Sequence, residues 1–308
     1  LDTILEKIPT QRQTLLFSAT FPEKIQSISS RVMKNPIMVK VESTHEDNSI
    51  QQFFYRVKND AERIIALRLL LLEYTPESAI VFCNTKIETQ ETADELSRHG
   101  FSAAALHGDL EQRDRDQTLV RFSNKSVSVL VATDVAARGL DIDDLDMVVN
   151  FQIARDTEVH THRIGRTGRA GSSGIACSLF SEKDVHKVIK LNAPDANSST
   201  TSTFDPVSQS AKLPPLALLE NRPKKPTTVT LQIDGGKKQK VRAGDILGAL
   251  TSKKNTSGSV ITGDDVGKIQ LFDNWAYVAI NTQQAKSALQ LLSEGKIKGR
   301  NFRVRQIK

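Results

Sequence analysis

Apolar positions change their period three times along this chain, and each change marks a different kind of structure. From about residue 47 to 194, short apolar runs at 51–57, 79–83, 103–106, 127–132, 147–151 and 174–179 predict strands. Between them, stretches 61–74, 86–99 and 111–122 repeat apolar residues at three- and four-residue spacing and predict helices. Strands that are apolar throughout, alternating with helices, predict a buried parallel sheet with right-handed crossovers and helices on both faces. Ligands of such sheets sit at the carboxyl ends of the strands. Thr85, Gly108, Thr133 and Asp134 all come just after predicted strand ends, so they gather on that edge.

The flanking regions differ. Residues 14–18 and 37–41 predict two strands around a helix that starts at Phe21-Pro22 and runs to about Lys34, too few elements to close a core. Residues 192–203 are small, polar and free of aromatics, and Pro214-Pro215 and 222–226 stiffen the stretch up to residue 226, which predicts a linker; Leu213 and 216–219 form an apolar group able to dock. Beyond residue 226 the order is strand 228–233, helix 245–251, strands 267–272 and 276–280, helix 282–293 and strand 301–307. That βαββαβ order is the split βαβ of an RNA-recognition motif.

Charge sharpens the division. The 308 residues carry +6 in all, yet residues 227–308 hold 14 Lys and Arg against 6 Asp and Glu, or +8, which leaves −2 for the remainder. The basic segment therefore suits nucleic acid. No apolar run is long enough for a membrane span, since even Leu69 to Leu72 adjoins Arg68 and Glu73. Cys83 and Cys177 lie in separate apolar runs and read as core thiols of a reducing cytosol, and no histidine stands at metal-ligand spacing with them.

One stretch carries distinctive chemistry. In residues 161–171, Arg163, Arg166 and Arg169 recur every third residue among Gly165, Gly168 and Gly171, with no lysine. Guanidinium forks suit phosphate oxygens, and helical spacing would place Arg163 and Arg166 on one face. The alternative is a solvated basic helix end.

Residues 162–169, His-Arg-Ile-Gly-Arg-Thr-Gly-Arg, resemble motif six of the DEAD-box RNA helicases, and other motifs of that family occur in the right order. Ser18-Ala19-Thr20 resembles motif three, and residues 80–85 resemble motif four. His107-Gly108-Asp109 with Gln112 and Arg115 resembles the glycine and QxxR elements. Residues 132–141 resemble motif five. The basic tail, with Gly235-Gly236-Lys237-Lys238 and Gly295-Lys296-Ile297-Lys298-Gly299, is similar to the C-terminal domain of the DbpA subfamily of bacterial DEAD-box proteins.

The resemblance implies two RecA-like domains using ATP with Mg²⁺, of which this chain would carry the end of the first at 1–43 and the second at 44–194. A linker at 195–226 would lead to an RNA-recognition-like domain at 227–308. The resemblance also implies that Arg166 and Arg169 reach the γ-phosphate, and that Gly139 and Asp141 help bind the nucleotide. His162 and Arg163 would contact the other domain, and Ser18 and Thr20 would couple the two. Thr85, Gly108, Gln112, Arg115, Thr133 and Asp134 would line the RNA track. Thr133 could instead cap a short helix, Asp141 could be a turn acid, and Arg115 could pair with Asp114 or Asp116. In the tail, Lys237, Lys238, Lys296, Lys298 and Arg300 would grip RNA. Trp275 and Tyr277 fall at the base-stacking positions of the third strand, or Trp275 is a core anchor. No GxxxxGK[ST] loop occurs and the Asp-Glu-Ala-Asp box is missing, so most ligands for ATP and Mg²⁺, with no resident metal site, are expected outside this chain. The resemblance implies a cytoplasmic, monomeric ATP-dependent helicase of large-subunit ribosomal RNA in ribosome assembly, which this chain represents as a part that binds RNA without hydrolysing ATP. A DNA helicase on the same paired domains and a non-enzymatic RNA-binding adaptor are the competing readings.

Overall fold

A computed structural model describes residues 2–17, 23–39, 50–138, 140, 142, 144–168, 173–192, 205, 206, 208–251 and 261–307. The chain forms two compact units, Leu1–Glu46 and Asp47–Lys308. In the first, α1 (Asp2–Leu5) and α2 (Glu23–Val32) are helical, while 12–17 and 36–39 are irregular. The expected strands at 14–18 and 37–41 are therefore not formed among the described residues. A strand needs a neighbour to hydrogen-bond, and Phe17, Ile37 and Val39 are 89%, 89% and 82% exposed, with no sheet to cover them.

The second unit begins with a six-stranded, wholly parallel sheet. Its strands are β1 (Ile50–Arg56), β2 (Ala79–Cys83), β3 (Ala103–Leu106), β4 (Val129–Thr133), β5 (Met147–Asn150) and β6 (Gly174–Phe180), in the spatial order β1-β6-β5-β2-β4-β3. Side-chain alternation divides β2 cleanly between the two faces. Ala79, Val81 and Cys83 join a core with Leu67, Leu70, Ala93 and Leu96 of α3 (Asp60–Tyr74) and α4 (Lys86–Arg98). Ile80 and Phe82 join the opposite core with Phe122 of α5 (Gln112–Ser123) and Ala136 of α6 (Asp134–Ala137). The RecA-like layering expected from the apolar runs is thus present. Both cysteines are fully buried, and burial pushes each thiol up to about 12. Helices α7 (Thr157–Ile164) and α8 (Val185–Leu191) complete this part.

The segment expected as a linker is less of a tether than its composition suggests. Residues 193–204 lie outside the described residues, but Ala211 donates its backbone N–H to Phe54 O at the β1 edge. Leu213 packs against the α3 side of the core, and Lys224 reaches Glu77. This strap leads into a four-stranded antiparallel sheet of β7 (Thr228–Ile233), β8 (Val266–Leu271), β9 (Ala276–Asn281) and β10 (Val304–Ile307), ordered β10-β7-β9-β8. Helices α9 (Ala243–Thr251) and α10 (Ala285–Glu294) cover one face, sharing a core with Leu231, Ile233, Val278 and Ile280.

The other face of this small sheet is also covered. Gln117 of α5 donates to Gln232 Oε1 at 3.2 Å, and the Asn124 amide donates to Thr230 Oγ1 at 3.2 Å. Ser126 and Thr230 share a hydroxyl contact at 2.7 Å, Thr228 donates to Asn124 O, and Lys268 reaches Ser123 Oγ at 2.8 Å. Thr230, Gln232 and Tyr277 are each at most 1% exposed. The face that would have stacked bases is therefore docked on the parallel-sheet domain.

Candidate functional site

The motif residues converge on the carboxyl edge of the parallel sheet, each placed by a strand end or a helix start. Thr85 caps α4, accepting from Glu88 N at 3.2 Å, and Thr133 caps α6, accepting from Ala136 N at 3.4 Å. The capping role foreseen for Thr133 is thus present, with the side chain 9% exposed. After β3, Asp109 pairs with Lys86 across Gly108, a contact that holds its carboxyl below the usual range. Gln112 donates to Asp116 Oδ1 at 2.7 Å and remains exposed. Arg115 pairs with neither neighbouring acid. It donates to Ala136 O at 2.6 Å and so ties α5 to α6, steadying the Thr133 turn.

Arg163 departs most from expectation. Helix α7 ends at Ile164, so Arg163 and Arg166 do not share a helical face. Arg163 is 1% exposed and makes five hydrogen bonds inward. Its Nε and Nη2 grip both oxygens of Asp134, at 2.6 and 2.9 Å. Nη1 reaches Asn150 Oδ1 and Gln152 O at 3.2 and 2.8 Å, and Nη2 reaches Asn84 Oδ1 at 3.0 Å. The guanidinium also lies over the Phe82 ring, 5.1 Å from its centroid. A side chain so enclosed cannot itself touch a second domain, and it occupies the carboxylate of Asp134, which the motif resemblance assigns to RNA. Arg163 instead clamps the ends of β2, β4 and β5 to α7.

Its neighbours face outward. His162 is exposed, and with Arg166 and Arg138 it lines a small cleft beside Phe82 and Val159. Arg166 also donates to Leu140 O at 3.1 Å. Sequence reasoning places Arg138 inside motif five without a role, and the structure adds it to the cationic side of this cleft. Gly168, at φ 66°, takes the left-handed conformation that favours glycine, turning the chain after Thr167. Gly139, Asp141, Arg169, Ser18 and Thr20 lie outside the described residues. Among the described residues no group of three His, Cys, Asp or Glu side chains is placed to hold a metal ion.

A second cluster lies on the small domain. Residues 297–300 form a two-residue hairpin with Lys298 at φ 51° and Gly299 at φ 76°, the twist such hairpins require. Buried Ile297 anchors it, and Lys296, Lys298 and Arg300 project outward. The 235–240 loop is pinned to the β8–β9 hairpin by Lys237 N donating to Phe272 O and Lys238 N donating to Asp273 O, at 2.8 and 2.9 Å. Lys298 Nζ then donates to Lys240 O at 2.9 Å, so the two basic loops meet. Tyr277 sits inside the docked interface, its hydroxyl buried without a hydrogen-bond partner among the described residues, and desolvation pushes its pKa up. Trp275 is half-buried beside the 235–240 loop, stacked at 6.3 Å on Phe272. The expected pair of stacking aromatics on an open sheet face is thus replaced by one interface residue and one hairpin residue.

Known proteins resolve what this pairing of domains means. Residues 61–171 match the helicase conserved C-terminal domain family, and residues 230–306 match the DbpA RNA binding domain family. The ATP-dependent RNA helicase DbpA of Escherichia coli (strain K12) is 46% identical over 100% of this chain and 64% of its own length. The chain thus joins a helicase conserved C-terminal domain to a DbpA RNA binding domain, and along its full length it is similar to a DbpA-type DEAD-box RNA helicase. DbpA of Bacillus subtilis (strain 168) is 31% identical over 98% of this chain, again across 64% of the relative. The chain therefore spans about two-thirds of the length of these DbpA relatives. Among solved structures, Dbp5 of S. cerevisiae bound to RNA and ADP BeF3 is 31% identical, with a TM-score of 0.54, over 61% of this chain and 50% of that one.

Proposed function

We propose that this chain is the RNA-gripping portion of an ATP-dependent RNA helicase, holding structured RNA on the paired basic loops of its small domain and passing a strand along the motif edge of the parallel sheet. The observation that carries this reading is the meeting of the two loops through Lys298 and Lys240, which gathers Lys237, Lys238, Lys296, Lys298 and Arg300 into one cationic surface. With the sheet face covered, that surface offers five of the fourteen basic side chains of residues 227–308 to phosphates. Large-subunit ribosomal RNA, in ribosome assembly in the cytoplasm, is the substrate supported by the DbpA-type likeness, and a monomer is the working form.

ATP fits this chain on one side only. Arg166, Arg138 and His162 offer donors to a polyphosphate, which bound between two RecA-like domains would supply the energy of strand separation. Arg166 would offset charge on a transferring phosphoryl group, while Arg163 holds the strand ends that position it. The chain alone binds RNA without turning over ATP. The test is fluorescence anisotropy with a labelled RNA hairpin. Replacing Lys296, Lys298 and Arg300 by Ala should weaken binding and lower the salt slope by roughly two to three units, slightly under one per lost contact. Unchanged affinity in a folded variant would refute the loop surface, and ATP turnover by this chain would refute the division of labour.

A further inference from the structure

The junction between the two domains carries basic groups that the loop surface and the motif edge leave unused. Arg113 lies one helical turn before Gln117 on α5, hence on the stripe that faces the small domain. Gln117 touches Gln232, and Gln232 stands directly opposite Arg305 on β10. Arg113 and Arg305 therefore lie beside the same interdomain contact, one from each domain, and both, with Asp116, lie within electrostatic reach of the Tyr277 hydroxyl beneath it. Arg305 Nη1 bonds both oxygens of Asp234, at 3.0 and 2.8 Å, which fixes its fork while 32% of the side chain stays exposed. Arg113 is exposed and has no ion pair among the described residues. Arg303, just ahead of β10, is exposed two residues before Arg305. Next to Arg113, Gln112 opens the RNA-facing end of the same helix.

We propose that Arg113 and Arg305 form a phosphate-binding seam that grips the RNA strand where it crosses from the small domain to the parallel-sheet domain. The proposal rests on the RNA-binding reading above and adds a site contributed by both domains. Planar forks on both banks of a fixed junction suit consecutive backbone phosphates, and they carry no base specificity. An acid partner on one of them, Asp234, keeps that fork from collapsing onto the sheet when RNA is absent.

The test compares two labelled probes on the full chain, an RNA hairpin alone and the same hairpin with single-stranded extensions at both ends. Arg113→Ala and Arg305→Gln are each expected to weaken binding of the extended probe about tenfold, the scale of one charge-assisted contact. Each should also lower its salt slope by about 0.7, the value for single strands. Binding of the bare hairpin should not change, and neither should Arg98→Ala, at the far end of α4, alter either probe. Equal losses on both probes, or no loss on the extended one with the fold intact by circular dichroism, would overturn the seam. Replacing Lys296, Lys298 and Arg300 by Ala separates the two claims. If that variant loses the hairpin while the Arg113 variant binds both probes normally, the seam fails and the loop surface stands. If it keeps the hairpin while the Arg113 effect persists, the loop surface fails and the seam stands.

Discussion

Arg163 offers the most direct check on the structure, because burial turns an expected phosphate ligand into a structural clamp. Arg163→Met keeps the apolar stem over Phe82 and removes all five inward hydrogen bonds. Asp134, Asn84, Asn150 and the Gln152 carbonyl then lose their donor. Breaking a buried pair costs about 3–5 kcal/mol. Asp134 keeps 23% of its side chain exposed, so water relieves part of its loss and the low end, about 3 kcal/mol, applies. For a unit of this size each kcal/mol moves Tm by about 2–4 °C, so the melting point should fall by roughly 6–12 °C.

Two probes locate that loss. Circular dichroism reports on the whole chain, whereas Trp275 is the single tryptophan and reports on the small domain. The dichroism transition should move by the full amount. Arg163→Met combined with Asp134→Asn should cost little more than Arg163→Met alone, since both remove the same pair. A fall below about 2 °C, or fully additive losses, would mean that Arg163 is not a clamp.

Other outcomes rest on single contacts. His160, buried against Phe54 and beside Arg163, has its pKa lowered to about 4, chiefly by desolvation. The unfolded chain therefore binds its proton first, and stability should fall as pH drops from about 6.5 toward 4, by up to about 3 kcal/mol; His160→Gln should flatten that acid limb in urea titrations. Gly236→Ala would drive a Cβ into Phe272 O, Trp275 N and Asp273 O, and it should unfold or loosen the small domain by Trp275 fluorescence. Gly248→Ala in α9 meets nothing within 4 Å and should stabilise the same domain by about 0.5–1 kcal/mol, read from the same transition. Thr230→Lys places a charge in a contact now fully closed to solvent, and it should undock the domains, seen as a larger radius of gyration in X-ray scattering.

The sheets were legible because their patterns are strong. Six apolar runs correspond to six parallel strands to within a few residues, and the βαββαβ order corresponds to the second sheet. The strands expected at 14–18 and 37–41 do not form among the described residues for a physical reason, since a short apolar run specifies a strand only where a partner strand is available. The motif edge was legible as a place, but individual roles were not. Nothing local distinguishes Arg163 from Arg166. What separates them is that α7 ends at Ile164 and that Asp134, at the start of α6, and Asn150, at the end of β5, lie 29 and 13 residues earlier in the chain. Arg115 was ambiguous for the same reason, its acceptor being a backbone carbonyl 21 residues away.

The small domain makes a different point about parity. Along β9, Ala276, Val278 and Ile280 face the helices, so Tyr277 and Ala279 face the other way. In an isolated domain that alternation would leave an aromatic on an open sheet and favour base stacking. Here Ala279 is 2% exposed and Tyr277 is fully buried, yet the partners that bury this face are polar: Gln117, Asn124 and Ser126. Thr228, Thr230 and Gln232 on β7 are polar at the matching positions. A face polar on both sides does not announce itself as an interface by hydropathy, which is why the sequence points to solvent or RNA there. Its specificity comes from paired hydrogen-bonding groups instead. Gln232 meets Gln117 and Thr230 meets Asn124, whereas Asn124 Oδ1 and the Tyr277 hydroxyl stay buried without a partner among the described residues, at a cost of about 1–3 kcal/mol each. The pairs that do form tie the small sheet to α5 and the turn after it, and they leave the loops and edges of the small domain outside the contact.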